Sequence, residues 1–392
     1  MARPPTLIAP AADAAALLRR LGFAILFAAL PIAGLLFRRG VVVLLPVGIA
    51  LLCLSTLLDG QGRARRTLEG AVASTTLAAL AFLAAWATLS AAWAPAPFFG
   101  LERLGGALAS PALAAVAILA LPDRTRAANL YLLPIGVFLG VLTTLGIVVA
   151  GGALTGDEDG PGISRGLACL ALLLWPAIGW LSSRTRDVEA AALALALGVA
   201  VALGPQDAVP VALVAGACGY VLAALGGRVG ALVAGCLMAG FLFAAPILAL
   251  VPRFAATLPI GSFGQVVRAD PARLAIGRGL GELARLRLGG FLPASVPDSL
   301  PVALWFDLGV VGVLAAAVAL VAGLGQAGRA AGPLLPGLVG AVATGFALAC
   351  MGLGSGQAWW PACLSVTILA FVAVERGQFR TRRPRAGAIA SP

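Results

Sequence analysis

A chain of 392 residues that is 61% apolar, only 11% charged and has a mean hydropathy of +1.02 is not built like a water-soluble globular protein, since soluble domains carry roughly 25% charged residues. Its formal charge of +11 rests on arginine alone, because the sequence has neither lysine nor histidine. The arginines are scattered over many short links and not gathered into one aromatic-laced patch, which argues against a nucleic-acid surface. The missing histidine removes the side chain best suited to proton transfer near neutral pH, and with it the commonest nitrogen ligand for metals.

Apolar runs long enough to span a bilayer recur along the chain. They fall near residues 21–37, 41–58, 70–91, 104–121, 128–150, 165–181, 188–203, 208–224, 229–250, 301–324, 333–353 and 356–374. The fold class that follows is all-α, a polytopic integral membrane protein of about twelve transmembrane helices. Asp13, Arg19 and Arg20 precede the first run, so it reads as a membrane helix and not as a removed leader. The pair flanking Gly204-Pro205-Gln206-Asp207 is short for a bilayer and reads as tilted helices or a broken pair. Residues 1–375 form one membrane domain, and 376–392 form a basic, partly disordered cytoplasmic tail suited to anionic lipid. The six cysteines, Cys53, Cys169, Cys218, Cys236, Cys350 and Cys363, all lie in apolar runs without a Cys-x-x-Cys pair. They read as small buried apolar residues and not as a disulfide or metal framework.

Arginine sets the orientation. With the N-terminus in the cytoplasm, the cytoplasmic links hold Arg63, Arg65, Arg66, Arg124, Arg126, Arg184, Arg186, Arg228 and Arg329, and the tail starts at Arg376. The short opposite links are poorer in arginine, and 156–160 is acidic; Arg38-Arg39 is the exception. Trp93, Glu102, Arg103 and Arg165 then fall on the outer face.

The connection at 251–300 lies on that outer face and is by far the longest. Its periodicity predicts short amphipathic helices on the membrane surface, with Pro271 as a helix start, Asp270 as its N-cap and a bend near Gly277–Gly281. Gly277-Arg278-Gly279 is not a nucleotide loop, for it follows no strand and lacks the Walker lysine. Arginines over a membrane can hold a pyrophosphate through charge-assisted bonds, and they can equally serve lipid head groups or solubility. Asp298 falls at the outer boundary of the next span and Asp307 some two turns deeper, where a carboxyl group is costly and is usually paired or functional. Arg278, Arg285 or Arg165 is a candidate partner for Asp307, and the plain alternative is a cap on a late-starting helix.

At these residues the chain resembles the O-antigen ligase and polymerase family of bacterial membrane proteins. The resemblance lies in Trp86-x-x-x-Ser90-x-x-Trp93-x-Pro95, in Ile163-Ser164-Arg165-Gly166 with the LACLALLLWP run after it, in Pro297 through Gly309, and in Gly356-Gln357-Ala358-Trp359-Trp360. It covers roughly residues 80–370. It implies a multi-pass protein of the bacterial inner membrane that transfers a glycan from a polyprenyl-pyrophosphate donor to a lipid or glycan acceptor, with no metal or other cofactor. Carried over residue by residue, it places donor-binding arginines at Arg165, Arg268, Arg273, Arg278 and Arg285, and catalytic carboxyl groups at Asp298 and Asp307. The loop exit of the family reads Pro-His-Asn-x-x-Leu-Gln-x-Trp-x-Glu-x-Gly. Here the histidine is Asp298, the asparagine Ser299, the glutamine Ala303 and the glutamate Asp307, while Trp305 and Gly309 are kept. An ordinary carboxyl group titrates near pH ~4 and is a weak base at neutrality. Three readings therefore stand: glycan ligase or polymerase, a non-catalytic ligase-like protein, and a polysaccharide or lipid carrier.

Overall fold

The computed structural model describes residues 10–37, 39–59, 74–122, 125–150, 161–204, 208–258, 260–293, 295–330, 332–354 and 356–377. Arg38, Arg63, Arg65, Arg66, Arg124, the acidic 156–160 link and the tail beyond Gly377 lie outside them. Among the described residues every regular element is helical, as a bilayer demands of a chain that must satisfy its own backbone.

Among the described residues, ten helices are long and apolar enough to cross a membrane. They are α1 (Asp13–Leu36), α2 (Gly40–Asp59), α3 (Thr75–Trp93), α4 (Pro97–Ala120), α5 (Ala127–Val149), α6 (Ile163–Ser183), α8 (Ala208–Leu250), α9 (Leu300–Ala330), α10 (Gly332–Cys350) and α11 (Trp359–Gly377). Between α6 and α8 lies α7 (Asp187–Ala202), whose 16 residues leave it shorter than these. The 43-residue α8 is a hairpin. Gly227, at φ 52 and ψ −128, turns the chain back, so Gly216 on one arm faces Thr344 of α10 while Phe241 on the other packs on Phe346.

The hub is α6, 89% of whose apolar window is buried, which identifies it as an interior helix apolar on all sides. Around it pack α1, α5, α7, α10 and α11. A second apolar cluster joins the end of α8 and the start of α9 to the 251–300 connection through Leu242, Ala245, Phe263, Leu283, Trp305 and Phe306. Small residues let these helices approach: a Cβ on Gly216 would lie 2.0 Å from the Thr344 hydroxyl, which accepts the Trp175 indole N–H at 2.8 Å. Cys218 and Cys236 are exposed on the outer surface of the hairpin and not buried as the sequence suggests; an apolar run alone does not say which side meets neighbouring helices and which meets lipid.

Successive helices alternate in direction. Trp93, Arg103, Arg165, the long connection and the 351–356 turn gather at one end, and Arg126, Arg184, Arg228, Arg329 and Arg376 at the other. At that second end arginines close helix termini, whose last carbonyls lack partners. Arg376 donates to the carbonyls of Ile118 and Leu121 at 2.9 and 2.8 Å, and Arg184 to that of Gly377 at 3.1 Å. Arg376 thus belongs to the last turn of α11.

Candidate functional site

The site is built on a break in α9. Its first turn, Leu300–Ala303, opens into a wider π turn at Leu304–Leu308, and Gly309, at φ 65 and ψ −162, interrupts the helix before it resumes. A break frees carbonyls that must find donors elsewhere. Three consecutive ones do. Phe306 accepts the Arg278 N–H at 2.8 Å, Asp307 the Gly279 N–H at 3.0 Å, and Leu308 the Trp86 indole N–H at 3.0 Å. The loop comes this close only without side chains: at Gly277 (φ 77) a Cβ would lie 2.2 Å from the Asp307 carbonyl oxygen. Trp305 closes a comparable gap. Pro246 has no N–H to give the carbonyl of Leu242, and the Trp305 indole donates to that oxygen at 2.8 Å.

The Asp307 side chain completes the joint. One carboxyl oxygen accepts the Gly281 N–H at 3.1 Å and the other the Leu283 N–H at 2.8 Å. These are N–H groups at the start of the loop helix Glu282–Leu288, whose N-cap, Gly281, has no side chain to offer. Asp307 is therefore a cap acting from another element, and its candidate partners Arg278, Arg285 and Arg165 do not take that place. Arg103 and Asp298 are the other charged residues that line one cavity with it.

Beside this joint lies a cavity of about 230 Å³. Arg103 of α4, Asp298 and Asp307 from the start of α9, and Trp360 of α11 supply its polar and aromatic lining; Gly281, Leu283, Leu300 and Leu353 contribute to the rest. Arg103 rests against Gly356, where a Cβ would lie 1.6 Å from its Nη2. Asp298 is half-buried, and its neighbour Ser299 is fully buried with a hydroxyl that has no hydrogen-bond partner among the described residues.

The five arginines singled out by sequence lie elsewhere than on this cavity lining. Arg268 donates to the Leu250 carbonyl at 3.0 Å. Arg273 and Arg278 both pair with Asp270, at 3.8 and 3.5 Å, and Arg278 also lies over the Phe306 ring. Asp270 is thus an ion-pair partner that closes the helix Phe263–Ala269, and the short helix Arg273–Ile276 has Ala272 as its N-cap. Arg285 makes a two-pronged pair with Glu282 at 2.8 and 2.7 Å, which pushes its guanidinium further above its ordinary value. Arg165 sits half-buried in the first turns of α6.

Two cavity residues, Arg103 and Trp360, are absent from the sequence-derived site. A usable signal was the pair of alternating-glycine segments, 277–281 and 352–356, since every glycine at 277, 279, 281, 352, 354 and 356 has positive φ. Both segments contribute to the cavity wall. No protein-family model and no curated protein sequence matches the chain.

Proposed function

We propose that this chain is a membrane glycan transferase that takes a sugar from a polyprenyl-pyrophosphate carrier at the end bearing the 251–300 connection, and that this end faces away from the cytoplasm. The sidedness rests on the arginines gathered at the other end, by the positive-inside rule. The observation that carries the reading is the meeting of Asp298, Arg103 and Trp360 in one cavity. Carboxyl and guanidinium groups beside an indole face suit a sugar ring, which offers hydroxyls at its edge and C–H bonds on its faces. The cavity is smaller than the roughly 300–1,000 Å³ of sites for drug-sized ligands, so one ring fits and a chain of sugars extends outward.

In this reading the Asp298 carboxylate takes the proton of an acceptor hydroxyl. The hydroxyl oxygen forms a bond to the anomeric carbon, and the bond from that carbon to the pyrophosphate oxygen breaks with its electron pair. The polyprenyl pyrophosphate leaves as an anion beside Arg103. Asp307 holds the loop helix that forms one wall, each of its oxygens accepting a backbone N–H.

A second reading, sugar binding without transfer, is favoured by one observation: Arg273, Arg278 and Arg285 are paired with carboxylates instead of lining the cavity. The two separate in proteoliposomes holding the full chain, an undecaprenyl-pyrophosphate-linked disaccharide as donor and a lipid-linked glycan as acceptor. Release of undecaprenyl pyrophosphate, abolished by Asp298→Asn with the fold retained, supports transfer. Saturable donor binding with no release supports the second reading.

A further inference from the structure

At the end of the bundle opposite the cavity, two neighbouring helices start on arginine. Arg126 is the N-cap of the first turn of α5 and Arg186 the N-cap of α7, and neither side chain caps the helix it precedes. A helix N-terminus carries partial positive charge and favours an anion, so a cation is the least expected residue there. In α7 the conflict is offset from within: Asp187 and Glu189 lie in its first turn, and Glu189 accepts the Arg186 Nε–H at 2.9 Å. The first turn of α5 holds no acidic residue.

Two guanidinium groups are seated here on rings that touch. That of Arg184 lies 4.4 Å from the centre of the Trp180 ring and that of Arg186 5.9 Å from the centre of the Tyr131 ring, and the rings meet edge to face at 5.8 Å. Arg126 precedes Tyr131 on α5 and, like Arg186, is exposed. Thr185 joins the other two arginines at φ 62, the only non-glycine residue with positive φ among the described residues. The N–H groups of Thr185 and Arg186 bond the carbonyls of Ser182 and Leu181, a helix-ending pattern whose left-handed position commonly takes glycine. A β-branched residue there narrows the freedom of the arginines on either side. The surplus in this corner is of donors. The Trp180 indole N–H and the Thr125 hydroxyl are buried and have no partner among the described residues. Both belong to the same corner, since Arg184 donates to the Gly377 carbonyl at 3.1 Å and the Thr125 N–H to the adjacent Arg376 carbonyl at 3.1 Å.

We infer that this corner binds the phosphate of an anionic phospholipid, in the leaflet at this end of the bundle, on Arg126, Arg184 and Arg186. A phosphodiester brings acceptors, and its charge relieves two helix N-termini at once. The source is a lipid because of depth. The 16 residues of α7 span about 24 Å, against about 30 Å of hydrocarbon core, so the turn before α7 is held at head-group level. Asp187 is exposed beside the turn and favours a singly charged phosphodiester over a doubly charged free phosphate. The site stands at the far end from the cavity and does not depend on glycan transfer.

The test is native mass spectrometry of the full chain, released from detergent with phosphatidylglycerol or phosphatidylcholine. The expected result is one phosphatidylglycerol adduct about tenfold tighter than phosphatidylcholine, the equivalent of one charge-assisted contact. It should be lost in Arg126→Gln/Arg186→Gln and kept in Arg228→Gln/Arg329→Gln, which removes the same charge at the same end. Equal affinity for the two lipids, or equal loss in the two double variants, overturns the site. Displacement of the lipid by millimolar inorganic phosphate also overturns it, because the ligand is then a soluble ion. In thermal unfolding, phosphatidylglycerol should raise the midpoint of the parent and not that of Arg126→Gln/Arg186→Gln; a rise of equal size in both refutes the proposal.

Discussion

Replacing Asp307 with alanine removes the acceptor for the Gly281 and Leu283 N–H groups in one step. Each ordinary hydrogen bond is worth about 1 kcal/mol net, and a donor left buried without a partner costs about 1–3 kcal/mol. The joint is part-buried, so some water reaches the freed groups, and the two together come to about 2–4 kcal/mol. That loss falls on the docking of loop helix Glu282–Leu288 and not on the bundle, whose hub α6 is remote from it in the packing. In hydrogen exchange read by mass spectrometry, protection of the 279–288 amides should drop about 30- to 1,000-fold, from the rule that ~1.4 kcal/mol is a factor of ten. Amides of α6 should keep theirs. Asp307→Asn retains one acceptor oxygen and should fall between the two. Unchanged protection at 279–288 in the alanine variant would refute the capping argument, and equal loss throughout the chain would show that Asp307 supports the whole fold.

Gly356→Ala places a methyl where the Arg103 guanidinium now lies, at φ 66; it should cost about 1–2 kcal/mol in thermal unfolding and weaken donor binding as Arg103→Ala does. Trp305→Phe should lower stability by about 1 kcal/mol through the orphaned Leu242 carbonyl. Its cost should shrink in a Pro246→Ala background, where the helix regains its own donor; an undiminished cost would sever the link between the two residues. Single cysteines at Ser295 and Arg329 should react with an impermeant maleimide from opposite sides of the membrane, and labelling of both from one side would contradict the proposed topology.

Hydropathy made the helical class legible, because a bilayer leaves few other ways to satisfy a backbone. It also marked the long connection and the carboxyl groups at its exit. What it could not supply was the company those residues keep. Arg278 and Arg285 look like free cations in one dimension, yet Asp270 and Glu282 take them up through folds of the loop only a few residues long. Arg103 and Gly356 are some 250 positions apart, and only the packing of α4 and α11 brings them together. Gly309 read as a retained family residue; its positive φ, and the break it creates, belong to backbone geometry that a residue name permits without requiring.

That break has a consequence for biogenesis. When α9 enters the bilayer after synthesis of the loop, the carbonyls of Phe306, Asp307 and Leu308 need donors from Arg278, Gly279 and Trp86, the last of which was made more than two hundred residues earlier. The first turns of α9 therefore do not settle as an autonomous inserted helix. Their polar backbone is satisfied only once α3 and the glycine segment are both in contact with them, so this span depends on partners far apart in the chain for its own hydrogen bonds.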